Sequence, residues 1–138
     1  MGKRMRGAVM ALALILALPG AAMAGPTDDY RQGISAANKG DMDTAIAAFT
    51  RIVDSGAGGD VKNLASAYNL RGMCQEAKND LQKALADYSK AIELDAKMAE
   101  ALGNRAMLYV KLGDEAKAKE DAVAAKRIDR KVKVPEFK

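Results

Sequence analysis

The chain has 138 residues, 49% of them hydrophobic and only 4% aromatic, with a single cysteine and no histidine. The absence of histidine removes the commonest general base near neutral pH and the commonest metal ligand. The carboxylates fall at expected helix caps and exposed faces, so the chain is expected to be no enzyme, to bind no metal and to need no cofactor.

The net charge of +4 is unevenly placed, because Lys3, Arg4 and Arg6 belong to a segment with the layout of a secretory signal. These three form a basic start, Ala8 to Leu18 is an uncharged apolar run, and Ala22-Met23-Ala24 is a small-residue cleavage site. Residues 1–24 are therefore expected to be a signal peptide cleaved after Ala24, giving a periplasmic or secreted protein. The apolar run is short of the roughly 20 residues that a bilayer requires, so no stable membrane span is expected after cleavage. Removal of the leader leaves 19 basic residues, 22 less those three, against 18 acidic ones. A balance so near zero gives no reason to expect a nucleic-acid partner.

From Thr27 the chain reads as helix pairs joined by tight turns. Thr27 is expected to cap a helix with Asp28 and Asp29 in its first turn, running to Lys39 and stopped by Gly40. Asn79 and Gly113 take the same stop position further on, and Gly and Asn tolerate the left-handed conformation of a helix end. Each stop precedes an aspartate, Asp41, Asp80 or Asp114, placed to cap the partner helix. Asp60 can cap an early start of the third helix, with Val61, Leu64, Ala65 and Tyr68 at helical spacing, which predicts an extra turn there. The Gly56-Ala57-Gly58-Gly59 run before it lacks the lysine and the strand-turn-helix setting of a phosphate loop and reads as a flexible connector. Residues 131–138 form a basic tail with Val132, Val134, Pro135 and Phe137 interspersed, too short to cover the end of a helical array well by itself.

The helix pairs repeat. Gly72, Asn79, Asp80, Ala84 and Ala91 recur 34 residues later as Ala106, Gly113, Asp114, Ala118 and Ala125, and upstream as Gly33, Gly40, Asp41, Ala45 and Ile52, with about five extra residues between the first two units. A fixed period of this size marks a helical solenoid. Gly33, Gly72 and Ala106 are expected to face Ala45, Ala84 and Ala118 where the paired helices cross, with Phe49 and Tyr88 filling the adjoining space. Ala122 stands at the ring position of the third unit, and its alanine-rich last helix is expected to be the least stable. Cys74, beside Gly72, cannot form a disulfide within the chain and reads as a buried, inert thiol. Arg71 and Arg105 share one repeat position, and Asp87 and Asp121 another; Arg105 with Asp87, across the repeat boundary, is the expected pairing.

The small residue, helix stop, alanine, aromatic and second alanine resemble the tetratricopeptide repeat family. NLRG at Asn69–Gly72 and ALADYSKAIELD at Ala84–Asp95 carry the closest resemblance, and NRAMLY with KLGD the next. The resemblance implies an all-α, three-repeat α-solenoid over residues 25–130, with units of about 26–59, 65–98 and 99–132. The first unit departs from the family at Ala36, where a large ring is common, and Gln75 departs likewise in the second.

The resemblance also implies a binding groove along the first helices, where protein or peptide partners lie. Its positions here give Tyr30, Ile34, Leu70, Met73, Met107 and Val110 as apolar anchors and Asn69 and Asn104 as amides for an extended backbone. A subclass that clamps chain-terminal carboxylates uses lysine, asparagine and arginine; Tyr30, Ile34, Leu70, Glu100 and Asn104 stand at those positions, and since only a different asparagine arrangement survives and Glu100 would repel a carboxylate, that clamp is not expected. Met73 and Met107 suit adaptable apolar contact better than a soft-metal site with Cys74. The expected function is an exported adaptor that binds a peptide or partner helix; the alternatives are a self-associating component of an envelope assembly and a holdase-like chaperone.

Overall fold

The computed structural model describes residues 25–138. The candidate leader and the cleavage position after Ala24 lie outside the described residues. Six helices follow one another among them, without a strand: α1 (Pro26–Asn38), α2 (Met42–Asp54), α3 (Val61–Ala77), α4 (Leu81–Leu94), α5 (Ala99–Lys111) and α6 (Glu115–Ile128). Each helix packs on its chain neighbours, with α1/α2, α3/α4 and α5/α6 the closest pairs and α2/α3 and α4/α5 the joints between them. This is the all-α solenoid that the repeat predicts.

The turns inside the pairs follow from three residues in the left-handed region, Gly40 (φ 81°), Asn79 (φ 64°) and Gly113 (φ 81°). Asp41 accepts from Thr44 N at 3.1 Å and Asp114 from Lys117 N at 3.1 Å. Hydrogen bonding to the helix start holds both carboxyls below the usual aspartate value. Asp80 occupies the same N-cap position but makes no side-chain cap bond. Thr27 is not the cap of α1: the helix begins at Pro26 with Gly25 at the N-cap. Proline has its φ preset for the first helical position and no N–H to leave unpaired there.

Asp60 accepts from both Lys62 N and Asn63 N and starts α3 early, so that α3 has 17 residues against 13 in α1 and α5. The glycine run is a packed turn rather than a loose connector. Gly56, Ala57, Gly58 and Gly59 all have positive φ, and the turn carries Ala57, 6% exposed, into the first core beside Phe49 and Ile52.

Phe49, Ile52, Tyr88 and Leu108 are the largest fully buried side chains. A Cβ at Gly33 would lie 2.7 Å from Phe49 Cε1, and one at Gly72 would lie 2.8 Å from Tyr88 Cε1. The glycines therefore meet the rings more closely than the sequence expectation, in which they met Ala45 and Ala84. The third repeat solves the same crossing another way: Ala106 and Ala122, both buried, replace the glycine and the ring. The methyl of Ala106 takes space that a ring would need.

The two arginine–aspartate forks run within repeats, which corrects the expected pairing of Arg105 with Asp87. Arg71 Nε and Nη2 donate to Asp87 Oδ2 and Oδ1 at 2.7 and 2.9 Å, and Arg105 forms the same fork on Asp121 at 2.6 and 2.8 Å. The close approach at Gly72 explains the choice, because Asp87 Cβ lies 3.3 Å from where a Gly72 Cβ would be. The boundary is crossed by the third nitrogen. Arg71 Nη1 reaches Thr50 Oγ1 and Arg105 Nη1 reaches Ser89 Oγ of the preceding repeat, each at 3.2 Å.

Candidate binding groove

The first helices α1, α3 and α5 carry the predicted groove residues, and two adjoining cavities open along them. The first, about 330 Å³, lies between α1, the start of α2 and α3 and is lined by Ile34, Ala37, Met42, Leu70, Met73 and Ala77 among others. Its walls are almost wholly apolar, with the Asn38 amide as a polar exception. Ile34 is 46% exposed and Met73 40%, while Leu70 is half-buried against the first core. Such a cavity accepts one aliphatic or aromatic side chain of a partner, the usual energetic anchor of a protein interface.

Met73 and Ala77 also line the second cavity, about 260 Å³, so the two are continuous. This part is polar. Glu76 accepts from Tyr88 Oη at 2.7 Å and pairs with Lys111 of the next repeat. Burial, and then the bond to Glu76, push the Tyr88 hydroxyl well above the ordinary tyrosine value of 10.0. A raised tyrosine pKa means that the fold keeps the neutral phenol. The stability that this contributes is complete below the unfolded pKa and is lost as pH rises past it. Denaturation midpoints taken from about pH 9 to about pH 11.5 should fall less steeply for Tyr88→Phe than for the parent chain; identical slopes would show that Tyr88 ionises freely in the fold.

The two amides bond to each other instead of standing open. Asn104 Nδ2 donates to Asn69 Oδ1 at 3.1 Å across the α3/α5 boundary, and Asn69 is only 3% exposed. Asn104, half-buried, also lines the second cavity. Tyr30 also has structural work: its ring packs edge-on to Phe49 at 6.2 Å, and its hydroxyl donates to the Asn63 carbonyl oxygen. Met107 and Val110 are 39% and 47% exposed along α5. The structure thus brings Ile34, Leu70 and Met73 into one cavity, with Met73 and Asn104 in the next, and places Tyr30 and Asn69 largely inside the packing.

Sequence reasoning missed Met42, Phe49 and Cys74 as cavity walls. Met42 opens α2 at the repeat position that Leu81 holds in α4, and that recurrence was the available signal. Cys74 is 4% exposed, and burial pushes its thiol up, away from the reactive thiolate. Among the described residues no three His, Cys, Asp or Glu side chains converge as a metal site would need, and no helix is long and apolar enough to cross a membrane.

Tetratricopeptide repeat matches cover residues 29–55, 65–98 and 99–132. The chain belongs to the tetratricopeptide repeat family, whose repeats are protein-interaction modules. Protein unc-45 homolog B of Danio rerio is 35% identical over 74 residues, which are 54% of this chain and 8% of that protein. The chain thus spans less than a tenth of that relative's length. Among solved structures, MamA 41-end from Desulfovibrio magneticus RS-1 aligns with a TM-score of 0.47 at 20% identity, over 78% of this chain and 77% of that one. The MamA RS-1 ArsTM double mutant aligns with a TM-score of 0.46 at the same identity.

Proposed function

We propose that the protein is an exported adaptor that holds a peptide or a partner helix along α1, α3 and α5. The observation that supports this most directly is the apolar cavity at Ile34, Leu70 and Met73, open to solvent and continuous with a polar stretch at Glu76, Asn104 and Lys111. An apolar side chain of the partner fills the first part, and the Asn104 amide with the Glu76–Lys111 pair orients its backbone or polar groups in the second. Export rests on the signal-like pattern of residues 1–24.

Met73→Asp puts a charge at an exposed cavity wall and is expected to leave helix content unchanged while weakening partner capture at least about tenfold, as loss of an interface anchor does. Leu70→Asp should do the same at the cavity floor, with some loss of stability because Leu70 also packs on the core. The measurement is affinity capture from envelope extract with parent and variant chains side by side. One dominant protein retained by the parent and lost by both variants supports the adaptor. A broad set of unfolded chains points to the holdase reading, capture of further copies alone points to self-association, and capture unchanged by both variants removes the groove.

A further inference from the structure

The solenoid ends in a face unlike its internal joints. In the first two repeats the second helix offers Ile46, Thr50 and Val53, or Leu85, Ser89 and Ile92, to the helix that follows, and the hydroxyl receives an arginine from it. The same three positions on α6 are Lys119, Val123 and Lys126. Valine replaces the hydroxyl, and lysines replace the aliphatic residues. At the other end of the array Gln32 stands where Arg71 and Arg105 stand in the later repeats. Neither end can complete the arginine–hydroxyl contact, so this face is not a socket for another repeat of this chain.

Part of the face is covered already. A Cβ at Gly103 of α5 would lie 2.4 Å from the Lys133 carbonyl oxygen, so the tail crosses α5 there in close backbone contact. Asn69 at the equivalent position of α3 is covered by Asn104 of the following helix, and the tail stands in for the helix that would come next. The tail was expected to be too short to cover the end well by itself, and its contact at Gly103 covers only part of that end. On the α6 side it leaves a trough of about 570 Å³.

Four cations rim this trough, Lys119, Lys126, Arg127 and Arg130, and Ala122, Val123 and Phe137 give it an apolar lining; no carboxylate is among the lining residues. Lys119 pairs with Glu115 at 2.5 Å and lies over the Phe137 ring at 5.4 Å, and Lys126 donates to the Arg130 carbonyl oxygen at 2.9 Å. Arg127 and Arg130 enter no ion pair among the described residues. From Lys133 onward the tail makes no backbone hydrogen bond among the described residues, which leaves its backbone groups, apart from the donor that Pro135 lacks, open to a partner.

We propose that the trough between α6 and the C-terminal tail is a second binding site, separate from the groove on α1, α3 and α5, for an extended peptide that alternates acidic with apolar side chains. Its carboxylates meet the lysines and arginines, its apolar side chains lie on Val123 and Phe137, and its backbone hydrogen-bonds to the unpaired backbone groups of the tail. A small inorganic anion would use neither the apolar lining nor those backbone groups. A lipid surface would use the cations but not a backbone partner.

The test uses the full chain and a fluorescein-labelled ten-residue peptide alternating Glu with Leu and Phe, followed by fluorescence anisotropy. Saturable binding is expected, weakened about tenfold between about 50 mM and about 500 mM salt. It should be lost in the Arg127→Glu, Arg130→Glu double variant, kept in Met73→Asp, and absent for the same peptide with Lys in place of Glu. Both arginines are exposed, so far-UV circular dichroism of the double variant should match the parent. If that variant is misfolded, Arg127→Gln with Arg130→Gln carries the test. No binding, binding that survives charge reversal, loss in Met73→Asp, or binding of phosphatidylglycerol vesicles but not of the peptide would each overturn the assignment.

Discussion

Gly72→Val is expected to unfold the middle repeat, lowering stability by about 3 kcal/mol or more, at or beyond the upper end of overpacking penalties. The first added carbon would lie 2.8 Å from Tyr88 Cε1 and 2.9 Å from Cδ1, with Asp87 Cβ at 3.3 Å. Tyr88 is 1% exposed, and its hydroxyl is held by Glu76, so the ring has nowhere to turn. The α3/α4 pair is the centre of the array and both joints depend on it, so the loss should reach α2 and α5 as well. Gly25→Val, at a site with open surroundings, serves as the control, and a Gly72→Val midpoint within error of the parent would show that the helices can separate at no cost. The third repeat supplies a sharper check. Since Ala106 and Ala122 replace glycine and ring there, Tyr88→Ala should cost less in a Gly72→Ala background than in the parent, a coupling that a double-mutant cycle measures directly.

Asp87→Ala should cost about 3 kcal/mol, within the range for breaking a buried ion pair by removing one partner. Its carboxylate takes both arms of the Arg71 fork, and the two side chains are 8% and 17% exposed. Without it the guanidinium keeps only the Thr50 hydroxyl and the face of Tyr68, 5.4 Å away. Because Arg71 also ties α3 to α2, the first pair should lose protection in native-state hydrogen exchange before the rest of the chain. Asp87→Asn retains one acceptor and should fall between variant and parent. A loss confined to α4, with α1 and α2 protected as before, would mean that the contact with Thr50 carries no coupling.

The helices were legible because their ends are marked by residues with local reasons to be there. Gly40, Asn79 and Gly113 adopt the conformation that only such residues adopt readily, and Asp60 binds the two N–H groups that its place predicts. The pairing of arginine with aspartate was not legible, because a repeat makes neighbours degenerate. Asp87 lies at nearly equal chain separations from Arg71 and Arg105, and only the crossing of α3 and α4 selects between them. Thr27 misled for a local reason, since Pro26 can open a helix without any side-chain cap.

The groove shows the same division. Exposure of Ile34, Met73, Met107 and Val110 followed from helical position, whereas the bond between Asn69 and Asn104 depends on how far α5 is set from α3. The course of the tail over Gly103 was not legible from its own residues. An extended segment without periodic hydrophobicity gives no register, and the signal was a glycine at a position where the preceding repeat has asparagine.

The directional contact between arginine and hydroxyl also bears on how such a chain can grow. The middle repeat alone holds both halves, Arg71 for the unit before it and Ser89 for the unit after it, whereas the first repeat has only Thr50 and the last only Arg105. An in-frame duplication of the middle unit would bring a donor and an acceptor together and leave each old joint intact. Copies added at either terminus would meet Gln32 or Val123 and find no partner. Lengthening is therefore compatible with this architecture from the inside, and the two end units can diverge toward other work without disturbing the register of those between them.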